Sequence, residues 1–117
     1  MVSFNLSRWE GEMNKEIYAR LREISKRLKK KYHAQEVILF GSYATGKATK
    51  DSDVDLFIIA STKERFFERM ATVKRLIRDL RDGFPVSPIV LTPIELEKRK
   101  KAGDQFVRQI LESGMIL

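Results

Sequence analysis

The sequence predicts a small α/β (α+β) domain built on one mixed sheet flanked by helices. Two patterns carry that prediction. Short apolar runs at 37–40, 54–60 and 86–91 end at glycine or polar turns, as buried strands do. Around them, apolar residues recur at helical spacing, each stretch carrying its own start or stop signal. The chain has 117 residues, 43% of them hydrophobic, which suits a single domain over 1–117 with a core of its own.

In chain order, residues 1–13 show no clear period and are expected to form a loosely held arm, with Trp9 covering the core edge. Asn14 is the expected cap of a first helix whose inner face is Ile17, Leu21, Ile24 and Leu28, with Tyr18 beside them. That helix ends in Lys29-Lys30-Lys31, where cations suit the negative end of the helix dipole. His33 follows and reads as structural. Val37 to Phe40 is the first strand and Val54 to Ala60 the second. Ser61-Thr62-Lys63-Glu64 reads as a capping box for a long helix ending near Asp82-Gly83. Its expected core face is Phe66, Met70, Val73, Ile77 and Leu80. Val86 to Leu91 is the third strand, at an edge or starting after Pro88, because proline cannot donate to a ladder. Thr92-Pro93-Ile94-Glu95 starts another helix, which breaks at Gly103. Asp104 caps a last helix, with Phe106, Val107, Ile110 and Leu111 inward and a stop at Gly114. The apolar tail Met115-Ile116-Leu117 is expected to pack on the domain or on a partner.

Bulk composition excludes several classes. There is no cysteine, so disulfides and thiolate metal sites are ruled out. No stretch approaches the ~20 apolar residues of a membrane-spanning helix, and the N-terminus lacks a signal-peptide core. The expectation is a cytoplasmic protein. The formal charge is +7, which favours anionic partners in general and otherwise describes a solvated surface. The basic residues lack interleaved aromatics for stacking, which argues against a nucleic-acid module.

The chemistry concentrates in residues 41–56, between the first two strands. Asp53 and Asp55 are two apart at a strand start, so both face one side of the sheet. Two neighbouring carboxylates repel, and a hard dication such as Mg²⁺ between them resolves the repulsion. Gly41 lets the backbone approach a phosphate closely. The amides that follow, with the Ser42 hydroxyl, can donate to phosphate oxygens, most readily if Tyr43-Ala44-Thr45 starts a short helix. With so few residues between them, the two strands must pair antiparallel. That brings Ser42 beside Asp53 and Asp55 in one pocket. Asp51-Ser52-Asp53 also fits ordinary turn chemistry.

Gly41-Ser42-x-Ala44-x-Gly46, followed by Ser52-Asp53-x-Asp55-Leu56, resembles the signature of the DNA polymerase beta-like nucleotidyltransferase superfamily, in particular its small stand-alone branch, the minimal nucleotidyltransferases. Leu91-Thr92-Pro93-Ile94-Glu95-Leu96 fits that branch in position, so the resemblance covers most of the chain. It implies transfer of a nucleoside monophosphate, AMP from ATP being the expected case, to a hydroxyl with release of pyrophosphate. It also implies Gly41, Ser42 and Ser52 as phosphate-binding residues, and Asp53 and Asp55 as catalytic ligands of Mg²⁺ (or Mn²⁺).

The same resemblance implies a third carboxylate at the start of the third strand. The helix between strands two and three is a crossover, so those strands run parallel, and the expected position falls at Ser87. No Asp or Glu lies between Gly83 and Ile94. Two functions are therefore expected. One is a nucleotidyltransferase acting on a hydroxyl of a HEPN-type helical partner protein, as the resemblance implies for small members of the branch. The other is a weak or inactive nucleotide-binding, antitoxin-like subunit that works by partner binding. A homo-oligomer is compatible with either.

Overall fold

The structure is a computed structural model that describes residues 2–117, with side chains described from Lys15 onward. Its elements run α1 (Val2–Lys31), β1 (Ala34–Phe40), α2 (Ser42–Thr45), β2 (Val54–Ala60), α3 (Phe66–Leu76), β3 (Val86–Leu91), α4 (Pro93–Lys101), α5 (Gln105–Ser113) and β4 (Met115–Ile116). The strands form one sheet in the order β3-β2-β1-β4. β1 pairs antiparallel with β2 and with β4, and β2 pairs parallel with β3. The mixed sheet, the antiparallel β1–β2 pair and the parallel crossover through α3 are as the sequence predicts.

Strand alternation divides the core in two. Val37, Leu39, Val54, Leu56, Ile58, Val86 and Val90 face Ile17, Leu21, Ile24 and Leu28 of α1 and Val73 of α3. Ile38, Phe57, Ile59 and Leu91 face Val107 and Ile110 of α5 on the other side. The central strands are thus covered on both faces, which is why β2 reads as a continuous apolar run. Pro88 sits within β3, and β3 is an edge strand, where a missing donor costs nothing.

Several local expectations give way. Asn14 lies inside α1 rather than at its cap. Residues 2–13, expected as an arm without period, are helical as part of α1, and the expected role of Trp9 lies outside the described side chains. The Ser61 capping box does not form. Thr62 Oγ1 accepts from the Glu64 N–H at 3.1 Å, and α3 begins only at Phe66 after Arg65. Glu64 is instead held by the hydroxyls of Tyr32 and Thr72. α3 also ends at Leu76, well before Asp82, and Phe66, Phe106 and Leu111 are exposed rather than core residues. The apolar tail packs on its own domain through backbone: β4 pairs with Ile38 and Leu39, and the Leu117 N–H donates to the Val37 carbonyl at 2.9 Å. A two-residue strand gives no readable alternation, so the sequence did not disclose it.

The far end of the sheet matches its signals closely. Thr92 Oγ1 accepts from the Glu95 N–H while Glu95 accepts from the Thr92 N–H, with Pro93 opening α4. Asp104 caps α5 through the Phe106 and Val107 N–H groups. Arg69 is buried among these elements, a residue the helical pattern placed no weight on. It donates to the carbonyls of Glu64 and Val90 and forms a two-pronged pair with Glu95, at 2.6 and 3.2 Å.

Candidate active site

The candidate site forms where β1 ends and β2 begins. Register places Phe40 opposite Asp55, and Asp55 opposite Ser87. Cross-strand partners share a face, so Phe40, Asp55 and Ser87 make a row across three strands on the α5 side. Val54 between the two aspartates is fully buried, which leaves Asp53 on the Asp55 side. Asp53 is exposed and Asp55 half-buried. The start of β2 is tied to the segment before β3 by the Val54 N–H, which donates to the Pro85 carbonyl at 2.9 Å.

Gly41 is the hinge of this arrangement. Its φ of 74° lies in the left-handed region, open to glycine at no steric cost. A Cβ at this position would collide with Asp55 Oδ2. The glycine is therefore needed twice, once for the turn and once to admit the carboxylate against the backbone. The Gly41 carbonyl accepts from the Ala44 and Thr45 N–H groups at 3.1 and 3.2 Å, which winds residues 42–45 into α2. Of the short-helix expectation, then, the helix forms and starts one residue earlier, at Ser42. Its leading amides have no intrahelical acceptor. α2 is anchored from below: Tyr43 is buried, and Tyr18 donates to its carbonyl at 2.8 Å. Sequence reasoning had put Tyr18 merely beside the core face of α1, yet it is what fixes the height of α2.

The connecting loop is internally braced. Ser52 Oγ accepts from the Thr49 N–H at 2.9 Å, and the Ser52 N–H donates back to the Thr49 carbonyl at 3.0 Å. This is the turn chemistry that the Asp51-Ser52-Asp53 cluster suggested. The Ser52 hydroxyl also meets Thr49 Oγ1 at 3.3 Å, a contact in which either oxygen can donate.

Electrostatically the site is unbalanced. Burial first, and then the negative charge of Asp53, push the Asp55 carboxyl above the usual carboxylate range. Like charges left together without a bound counter-charge are typical of a functional pair rather than a structural one. The donor set, two hard carboxylates that form no ion pair among the described residues, fits Mg²⁺. Among the described residues no group of three His, Cys, Asp or Glu side chains gathers as a metal site. Ser87, at the position where a third acid is expected, stands opposite Asp55 in the register of β2 and β3.

Fold and site together define a mixed-sheet nucleotidyltransferase class. The family described as a nucleotidyltransferase domain matches residues 21–117, and the chain belongs to that family of transferase enzymes. Two proteins of Methanocaldococcus jannaschii, each bearing the name of a candidate protein adenylyltransferase, are 34% and 30% identical to it over 101 residues. They cover 83% and 86% of this chain, and in each case 93% of the relative. The crystal structure of a candidate nucleotidyltransferase from Sulfolobus solfataricus superposes with a TM-score of 0.60 at 27% identity, over 76% of this chain and 78% of that one. Among the described residues no helix is long and apolar enough to cross a membrane.

Proposed function

We propose that the protein transfers AMP from ATP to a hydroxyl group on a partner protein, in a metal-dependent reaction at Asp53 and Asp55. The single observation that carries this reading is the fit of Asp55 against Gly41, which joins a like-charged carboxylate pair to an open backbone turn. Gly41, Ser42 and the leading amides of α2 hold the β- and γ-phosphates, with the Ser52 hydroxyl as a further donor. Asp53 and Asp55 hold Mg²⁺ (or Mn²⁺), which supplies neutralising charge to the triphosphate when bound. Phosphoryl-type transfer asks for positioning and charge neutralisation above all, and the braced loop and anchored α2 provide the positioning.

In the reaction an acceptor oxygen forms a bond to the α-phosphorus. The bond from that phosphorus to the bridging oxygen breaks, and pyrophosphate leaves. With Ser87 in the third position, no acid of β3 receives the acceptor's proton, which passes to water. The named relatives, both candidate protein adenylyltransferases, support AMP as the group and protein as the acceptor class. A HEPN-type helical protein is the proposed partner.

The test is to incubate the protein with Mg²⁺ or Mn²⁺ and α-labelled ATP, with and without a HEPN-type protein encoded beside it. Label is expected on the partner, and Asp53→Ala is expected to remove at least ~1,000-fold of the rate, on the scale of losing a main electrostatic stabiliser. A second reading is favoured specifically by Ser87: a nucleotide-binding subunit that restrains its partner by contact. Binding of Mg-ATP with no label transfer to any acceptor would select it. Absence of both binding and transfer would overturn the two readings together.

A further inference from the structure

One cavity adjoins the candidate site without belonging to the carboxylate row. It has a volume of about 250 Å³ and lies between β1, α2 and α5, with Phe40, Gly41, Ala44, Phe106, Gln109 and Ile110 among its lining residues. Gly41 thus borders both the proposed phosphate cradle and this cavity. Drug-sized ligand pockets span roughly 300–1,000 Å³, so this space suits one flat ring system rather than a whole nucleotide.

Its walls are chemically specific. The Phe40 and Phe106 rings meet edge to face, with centroids 5.7 Å apart and planes at 86°. Phe106 is 50% exposed, an apolar cost that its own domain does not recover. Gln109 lies one helical turn on, on the same face of α5. It is exposed, and among the described residues its side chain makes no hydrogen bond, while its backbone carbonyl accepts from the Ser113 hydroxyl at 2.7 Å. Its carboxamide thus stands ready as one donor and one acceptor beside an aromatic platform. Every nucleobase stacks on an aromatic ring. A glutamine carboxamide matches the donor–acceptor edge that adenine presents.

We infer that this cavity is the nucleobase subsite, in which Phe106 stacks adenine and Gln109 selects it. The inference rests on the nucleotide reading above and adds to it the residues that set base identity. It also gives the site a direction. The cavity lies on the β1 side of Asp55 and Ser87 on the β3 side, so a base seated here leaves the β3 side open to the incoming hydroxyl.

The experiment measures equilibrium binding of Mg-ATP, Mg-GTP and Mg-tripolyphosphate to the full chain and to Phe106→Ala, Phe106→Leu and Gln109→Leu, with thermal unfolding as a check on folding. Both Phe106 variants are expected to weaken ATP about 10-fold or more and to leave tripolyphosphate within about 2-fold. Phe106→Leu keeps apolar bulk and loses only the stacking face, so it answers even if the alanine variant is unstable. Gln109→Leu is expected to shrink the ATP-over-GTP preference about 10-fold. If the wild-type chain binds tripolyphosphate and the Phe106 variants bind ATP as well as it does, the base lies elsewhere and the inference falls while the phosphate cradle stands. If the wild-type chain binds neither ATP nor tripolyphosphate, the nucleotide reading fails and this inference falls with it.

Discussion

Two carboxylates at opposite ends of the sheet experience opposite fates. Glu95, past the end of β3, receives two hydrogen bonds from Arg69 and one from the Thr92 N–H. The Arg69 contact foremost holds its carboxyl down at about 2. Asp55, at the start of β2, is pushed up by burial and by Asp53. At one end the buried Arg69–Glu95 pair locks α3, β3 and α4 together. The other keeps two like charges side by side against the Gly41 turn. The fold thus places a buried ion pair at the junction of α3, β3 and α4 and leaves the Asp53–Asp55 pair without an ion-pair partner among the described residues.

The sharpest way to break this contrast is Arg69→Met. Removing one partner of a buried pair leaves the other uncompensated, which typically costs about 3–5 kcal/mol. Because Glu95 is 39% exposed and can reach water, the lower figure of about 3 kcal/mol is expected by chemical denaturation. Nucleotide binding by the remaining folded fraction should be unchanged. A loss of nucleotide affinity without a loss of stability would dissolve the division between the two ends.

Next in size is Gly41→Ala. The left-handed backbone costs roughly 1–2 kcal/mol for a residue with a Cβ, and the collision with Asp55 adds to it. A stability loss of about 2 kcal/mol is expected, together with loss of Mg-ATP binding. Binding that survives intact would mean that the Gly41–Asp55 contact is not part of the site.

Acid titration sharpens the comparison further. A carboxyl depressed in the folded state stabilises fully above its unfolded value of about 4.5 and loses that contribution as pH falls toward about 2. The whole shift would amount to about 3 kcal/mol. Solvent screening at a side chain 39% exposed reduces this to about 1–2 kcal/mol. The loss should therefore appear between pH ~4.5 and ~2 and be absent in a Glu95→Gln variant.

The smallest effect has the opposite sign. A carboxyl raised in the folded state favours folding when protonated, and that advantage is lost as pH rises through its folded value. Asp55→Asn removes the repulsion with Asp53, so at neutral pH and without divalent metal it should stabilise the chain by about 0.5 kcal/mol, the scale of partly exposed charge pairs. A destabilised Asp55→Asn would show that the carboxylate is structural after all.

Legibility followed the same division. Motifs whose partners lie within a few residues were readable: the Thr92–Glu95 capping box, the Asp104 cap, and the Gly41–Asp55 segment with its short helix. Signals that depend on distant partners were not. Ser61-Thr62-Lys63-Glu64 has the spacing of a capping box, but Tyr32 and Thr72 claim Glu64, so the helix starts later. Arg69 sits on a helix face that periodicity assigns to apolar residues, and only the position of Glu95 in α4 makes its burial possible. Phe106 fits a core pattern by spacing, yet stands half exposed over a cavity.

The sequence by itself determined the order of β1, β2, β3 and the main helices, the antiparallel return from β1 to β2 and the parallel crossover to β3, because the short connection and the helical crossover leave few alternatives. It also determined which side chains carry the candidate chemistry, since the Gly-Ser turn and the paired aspartates are local. Only the tertiary structure decided that Asp55 presses against Gly41 and that Ser87 stands opposite Asp55. Only it placed Tyr18 beneath α2 and opened a cavity between α2 and α5 beside the carboxylates. Those are contacts between residues far apart in the chain, and their geometry is set by how β1, β2, α1 and α5 pack, which no short stretch of sequence contains.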